Sequence, residues 1–309
     1  MINAALYKRI IEKTKDLNRH KPFDKLQLQK LKEQFAIQYI YNSTAIEGNT
    51  ITLQETELIL GQGITIGGKS LREHLDITNQ REALTWIEQK TKGRLLEADM
   101  LTLHRITLKG ISDFWAGRYK TSQNRILGSR LKTTPPHKVY SEILNLMHVI
   151  NKNPEKLNPI ELSAWAHHEI ARIHPFVDGN GRTARLLCNL ILMKAGYPPV
   201  IIRNKDRKKY IDCLEKAHFG DLNPFVDFIG KAVEESLMLY LNAFERSTAE
   251  KDLVPLSELK THYSQEYLSL LARRGSLSAV KINGAWHSSK KELGLYQKRR
   301  KYRIKMKLR

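Results

Sequence analysis

Apolar residues recur at three- and four-residue spacing through most of the chain. Ile37, Ile40 and Tyr41 begin the pattern; Met100, Leu103 and Ile106 repeat it, as do Ala166, Ile170 and Ile173, then Phe225, Phe228, Ile229 and Val233. That period turns one face of an α-helix toward a core. Apolar β-branched runs alternating with helices, the mark of a parallel α/β sheet, do not occur. One short β-hairpin fits residues 123–134, turning at Gly128-Ser129 and stopped by Pro135-Pro136. The pattern predicts a mainly α core over residues 23–248. Its longest apolar stretch, residues 186–202, is broken by Asn189, Lys194 and Pro198-Pro199 and is too interrupted to span a bilayer. Residues 1–22 mix charges of both signs, unlike a secretion signal. Cys188 and Cys213 each stand alone in a helical pattern and read as buried free thiols of a reducing compartment. A cytoplasmic protein without a membrane partner is expected.

The helical pattern breaks over residues 247–255. Beyond it, residues 257–262 and 264–274 read as two short helices, ended by Gly275. Strands over 279–282 and 285–287 then flank the favoured turn Asn283-Gly284. Charge sharpens this boundary. The 309 residues carry 52 Lys+Arg against 32 Asp+Glu, a net of +20, and residues 251–309 alone hold 15 against 4. Arg273, Arg274, Lys281, Lys290, Lys291 and the run 297–309, with Tyr267 and Trp286 between them, suit DNA or another polyanion. A solvated, solubilising tail accounts for the charge equally well. The order helix, turn, helix, wing resembles the excisionase and MerR-type winged-helix modules, which implies a DNA-binding or protein-binding role for residues 251–309.

The densest chemistry lies in His174-Pro175-Phe176-Val177-Asp178-Gly179-Asn180-Gly181-Arg182-Thr183-Ala184-Arg185. A helix is predicted over residues 182–195, ended by Gly196 and Pro198. Gly179, Asn180 and Gly181 then sit at its N-terminus, where unpaired backbone N–H groups and the helix dipole attract an anion. Arg182 and Arg185 share one face of the first turn. Two guanidinium forks beside an anion nest suit a polyphosphate. Asp178 offers a hard oxygen for Mg²⁺, and His174 can take a proton near neutral pH.

These residues fit the signature H-x-F-x-(D/E)-G-N-G-R-x-x-R, and the chain resembles the Fic family of protein adenylyltransferases. The resemblance implies a helical Fic core that moves AMP from ATP to a hydroxyl of a target protein or of itself. It implies that His174 deprotonates that hydroxyl and that Asp178 binds Mg²⁺. Gly179, Asn180, Gly181, Arg182 and Arg185 would hold the phosphates of ATP, while Phe176 packs the loop onto the core. The 123–134 hairpin matches the position of the family's flap, so Ile126, Leu127 and Gly128 would align the target by strand addition. Tyr210 aligns with residues near the adenine, with a packing tyrosine as the alternative.

Ser43-Thr44-Ala45-Ile46-Glu47-Gly48 fits the family's inhibitory pattern (S/T)-x-x-x-E-(G/N). The resemblance implies that Glu47, on a helix with Ser43, occupies Arg185 and excludes the γ-phosphate. In some relatives the same glutamate positions water to remove AMP, so the reverse reaction stays open. So does a DNA-bound regulator that uses the winged helix. Residues 63–70 also spell G-x-x-x-x-G-K-S, but the segment before them is helix-like and no parallel strands follow, so a P-loop is not expected. The expected organisation is an N-terminal helical region (1–60) carrying the inhibitory motif, a Fic core (61–248) and a winged-helix domain with a basic tail (249–309). A homodimer is left open.

Overall fold

The computed structural model describes residues 1–126, 131–251, 253–282 and 284–307. The chain forms two compact units, Met1–Leu241 and Asn242–Arg309. Among the described residues no helix is long and apolar enough to cross a membrane.

The first unit is built from helices α1 (Ala4–Arg19), α2 (Lys25–Ala45), α3 (Leu53–Gln62), α4 (Leu71–Gln89), α5 (Glu97–Leu108), α6 (Pro136–Lys152), α7 (Pro159–Ile173), α8 (Asn180–Lys194), α9 (Arg207–His218) and the start of α10 (Asn223–Lys251). Its centre is α8. Every residue from Arg182 to Leu192 is buried, so this helix has no solvent face and neighbours must surround it. α7 packs along it most closely, and α2, α4 and α5 also lie against it. Local chemistry sets the ends. Asn158 caps α7 and Pro159 follows at the first helical position, while Thr52 and Ser70 form capping boxes with Glu55 and Glu73.

α8 begins at Asn180, two residues earlier than the sequence predicts, because Gly179 takes a left-handed conformation (φ 78°) and caps it. The Gly63–Ser70 segment joins α3 to α4, with Gly63 closing one helix and Ser70 opening the next. No strand precedes it, as the sequence reading expects. Of the hairpin at 123–134, the described part is an antiparallel bridge between Arg125 and Lys132. Leu127 and Gly128 lie outside the described residues.

In the second unit, β1 (Val254–Pro255), β3 (Ala285–Ser288) and β2 (Val280–Ile282) form an antiparallel sheet in that order. Lys281 pairs with Trp286 and Ile282 with Ala285, the expected hairpin register. Leu256, Leu259, Leu268, Leu271, Leu277 and Leu293 make a small core of its own. Two expectations need correction. α10 continues through Ser247–Lys251, where a break was expected. The helix expected at 257–262 is a single 3₁₀ turn, Leu256–Glu258, because one turn already delivers Leu256 and Leu259 to the core. The basic tail forms a helix, α12 (Lys290–Lys307), opened by Ser289, whose hydroxyl accepts from the Glu292 N–H at 3.2 Å.

Candidate active site

α7 and α8 are joined by a loop that the backbone bends twice. His174 ends α7 in a left-handed conformation (φ 49°, ψ 59°), a region costly for a residue with a Cβ, and its N–H donates to Ile170 O at 2.9 Å. Gly179 makes the second bend, and a Cβ there would also press on His104 at 3.3 Å. Asn180 closes the loop between them. Its Oδ1 accepts from the Phe176 N–H at 2.9 Å and its Nδ2 donates to Phe176 O at 2.8 Å. The Asn180 side chain is therefore committed to loop closure, and only its backbone is left to face an anion.

Phe176 is fully buried and stacks on His104, with ring centroids 3.6 Å apart and planes 4° from parallel. The Gly117 N–H donates to His104 Nδ1 at 3.0 Å, which fixes the tautomer: Nε2 carries the hydrogen and donates to Asp178 O, also at 3.0 Å. Burial lowers His104 to about 4. One ring thus supports the loop at both Phe176 and Asp178.

His174 faces a cavity of about 350 Å³ whose lining includes Glu47, Ile126, Gly181, Arg185 and Tyr210. Burial, and then the charge of Lys120, lower His174 to about 4. Its imidazole is neutral at physiological pH and able to accept a proton. A larger surface cleft of about 640 Å³, bordered by Glu82, Arg105, Lys109, Asp113 and Arg118, contains none of the motif residues. The chemistry converges in the smaller one.

The two motif arginines have different partners. Arg182, 3% exposed, pairs with Asp76 and donates to Asp178 Oδ1 at 3.1 Å. Asp178 Oδ1 also accepts from the Gly179 N–H at 2.6 Å, and its Oδ2 accepts from Arg72 at 2.6 Å. Burial pushes Asp178 up, but Arg182, Gly179 and Arg72 outweigh it and hold the carboxyl below its ordinary value. Asp76, the more buried partner, is pushed up by burial against the pull of Arg182 and Arg72.

Arg185, 2% exposed, points instead at the end of α2. Its Nε donates to Ser43 Oγ at 3.0 Å, and its Nη2 donates to Ser43 O at 2.8 Å and to Glu47 Oε1 at 2.7 Å. The guanidinium thus satisfies a last-turn carbonyl of α2, where the helix dipole is negative. Burial works against its charge, yet Glu47 beside it keeps Arg185 above its ordinary value. Glu47 lies in the turn just past α2 rather than on the helix, since α2 ends at Ala45 and Gly48 (φ 98°) turns the chain away. Its carboxylate is 40% exposed, so it forms the wall of the cavity. Glu47 Oε1 sits directly over Gly181, where any Cβ would strike it. A carboxylate therefore occupies the mouth of the anion nest, beside the second fork.

The fold brings together His174, Asp178, Gly179, Asn180, Gly181, Arg182, Arg185, Ser43, Glu47 and Ile126. Tyr210 is on the cavity floor, 3% exposed, with its hydroxyl bonded to His167 Nε2 at 2.8 Å. Three residues absent from the sequence reading also meet here: His104, Lys120 and Asp76. His104 carried a signal, because it falls on the same stripe as Met100 and Leu103, where a polar residue needs a buried partner. Asp76 carried none; its partner Arg182 lies 106 residues away.

Residues 94–192 match the family model described as Fic/DOC family. A protein adenylyltransferase Fic of Nematostella vectensis is 38% identical over 226 residues, which cover 71% of this chain and 52% of that protein. The chain spans about half the length of the curated relatives it matches. A solved structure of Fic-1 from Caenorhabditis elegans superposes with a TM-score of 0.71 at 33% identity, covering 79% of this chain and 74% of the other. A Fic domain containing signaling protein from Bacteroides thetaiotaomicron gives a TM-score of 0.71 at 30% identity, covering 78% and 97%. With these matches, and a helical core holding the full loop signature between α7 and α8, the chain belongs to the Fic/DOC family.

Proposed function

We propose that this chain is a protein adenylyltransferase that moves AMP from ATP to a Ser, Thr or Tyr hydroxyl of a protein and is held in check by Glu47. The observation that carries this reading is the seat of the Glu47 carboxylate, over Gly181 and on the fork of Arg185, within an otherwise complete loop. Two relatives bear the name protein adenylyltransferase, which supports the same reaction. The target oxygen attacks the α-phosphorus and forms the new P–O bond. The bond from that phosphorus to the bridging oxygen breaks, and pyrophosphate leaves with the electron pair. His174 takes the hydroxyl proton. The N-terminal turn of α8 and Arg185 hold the phosphates, and Ile126, at the edge of the cavity, lies along the target chain.

Mg²⁺ fits Asp178, a half-exposed carboxylate held ionised, once Arg72 yields Oδ2. When bound, the ion would neutralise phosphate charge. Among the described residues no three carboxylate, His or Cys groups cluster as a metal site, so ATP oxygens would complete its shell.

The test is transfer of label from α-labelled ATP, with Mg²⁺, by Glu47→Gly protein and by the same protein carrying His174→Ala. Label on protein with the first, and a loss of roughly 10²–10⁴-fold with the second at unchanged nucleotide binding, supports the assignment. Equal labelling overturns the role of His174. Label removed from a modified protein, rather than added, would favour the reverse reaction.

A second reading concerns the C-terminal unit alone. Arg273, Arg274, Lys281, Lys290, Lys291 and Lys298 are all exposed, and nothing acidic interrupts them except Glu292. Duplex DNA is the partner this charge fits best, with an acidic protein surface as the alternative.

A further inference from the structure

Lys120 is the most unusual buried group near the site. Only 3% of it is exposed, and among the described residues it has no carboxylate partner. Its three N–H donors meet three neutral oxygens instead: Asn124 Oδ1 at 2.6 Å, Thr133 Oγ1 at 3.1 Å and Ile173 O at 3.5 Å. Its backbone N–H donates to Pro175 O at 2.9 Å. A buried ammonium without a counter-ion is costly, so a structural purpose alone would be better met by an apolar side chain.

The partners show what the lysine joins. Asn124 and Thr133 lie at the base of the 123–134 segment, on either side of the Arg125–Lys132 bridge, and are tied to each other by the Thr133 hydroxyl at 2.9 Å. Asn124 Nδ2 reaches the catalytic loop, donating to His174 O at 3.3 Å and to Phe176 O at 2.9 Å. Gln123 Nε2 adds a bond to Thr133 O at 2.9 Å. Ile173 and Pro175 flank His174 on both sides. Lys120 therefore fastens the base of the flap to the residues before and after the candidate base, its ammonium through Ile173 O and its backbone N–H through Pro175 O.

We propose that Lys120 is a positioning residue that fixes the target-docking flap in register with His174 and holds a cation beside that residue's backbone. This inference rests on the AMP-transfer reading above. The charged and titratable groups around His174 are Lys120, Glu47, Asp178 and His218, with Arg185, Arg207, Tyr210 and Glu215 lining the same cavity. Lys120 is the cationic neighbour that favours the neutral ring most, and Glu47 and Asp178 pull the other way. Burial lowers Lys120 itself to about 8, which leaves most of it charged at pH 7.

The experiment uses full-length protein carrying Glu47→Gly, so that transfer is measurable, and compares Lys120→Met, Lys120→Arg and Thr133→Val. If Glu47→Gly itself shows no transfer with any protein acceptor, the AMP-transfer reading has failed, not this one. With transfer present, Lys120→Met is expected to lower its rate at least tenfold with ATP-analogue binding unchanged. It should also move the acid limb of the pH–rate profile upward, because loss of the neighbouring cation raises the pKa of His174. Lys120→Arg keeps the limb in place. Thr133→Val, which removes one flap anchor and leaves the charge, is expected to slow transfer without moving the limb. An unmoved acid limb in Lys120→Met, or a full rate, overturns the proposal. Should Lys120→Met fail to fold by circular dichroism, Thr133→Val decides the flap half, and wild-type transfer by that variant overturns it.

Discussion

His104 and Phe176 lie face to face, 3.6 Å between ring centroids, and the same imidazole donates to Asp178 O. The loop that presents His174 is thus supported from beneath by a residue of α5 that touches no substrate. Both sides of the stack are fully buried, so removing one ring leaves a void and strands a carbonyl.

His104→Ala is expected to cost about 3 kcal/mol of stability, read from urea denaturation. In a Glu47→Gly background it should also slow AMP transfer. His104→Phe, which keeps the stack but loses both hydrogen bonds, should fall between wild type and alanine. Equal urea midpoints for His104→Ala and wild type would remove the supporting role.

Much of this site was legible in the chain because its chemistry is contiguous. His174 to Arg185 spell a loop and a helix N-terminus in one stretch, and the caps that shape them are local. The Ser43-to-Glu47 pattern was legible only as a companion to that stretch. Pairings across the fold were not. Asp76 and Lys120 acquire their roles from residues far along the sequence, and nothing in their own surroundings marks them. The helix expected at 257–262 failed for a related reason: periodicity shows which residues seek a core, but not how few turns will bring them there. Conversely, α12 was announced by Ser289 and Glu292, three apart at a helix start, and the dense positive charge after them masked it.

Acid should unfold this protein early. His104, His174 and His218 are each lowered to about 4 from the ordinary 6.5, first by burial, and burial also holds His167 well below its ordinary value. Between pH 6.5 and about 4 the unfolded chain therefore binds more protons at these positions than the folded one. Stability rises with pH wherever that holds, so it is present above 6.5 and is lost as pH falls toward 4. Urea midpoints measured from pH 7.5 to 4.5 should decline most steeply below 6.5. A flat profile through that window would mean these histidines are not held neutral by the fold.

If DNA is the partner of the C-terminal unit, full-length protein should shift duplex DNA at low salt, with affinity falling steeply as salt rises. Each phosphate neutralised contributes about 0.9 to the log–log slope. Changing Lys290, Lys291 and Lys298 together to Ser should lower that slope by up to about 3 and weaken all sequences alike. Binding that ignores both salt and these three lysines would point to protein recognition instead.

Glu47 Oε1 holds Arg185 Nη2 at 2.7 Å across 138 residues of sequence and lies against Gly181 at the mouth of the nest. A guanidinium fork on a carboxylate cannot also present those donors to a phosphate oxygen, and a carboxylate in an anion site repels the anion that belongs there. Wild-type protein should therefore transfer little AMP. Glu47→Gly clears the carboxylate but leaves Arg185 anchored by Ser43 Oγ and Ser43 O, already aimed at the cavity. Transfer should rise at least tenfold, read as label from α-labelled ATP on the protein itself or on a lysate protein. Glu47→Gln tests charge against shape: it keeps the bulk over Gly181 but loses the ion pair, and should release only part of the activity. Adding Arg185→Ala to Glu47→Gly should abolish most of the gain if, as proposed, the freed fork holds the phosphates of ATP. A double variant as active as Glu47→Gly would separate the two residues functionally. A Glu47→Gly variant no more active than wild type would sink the brake itself.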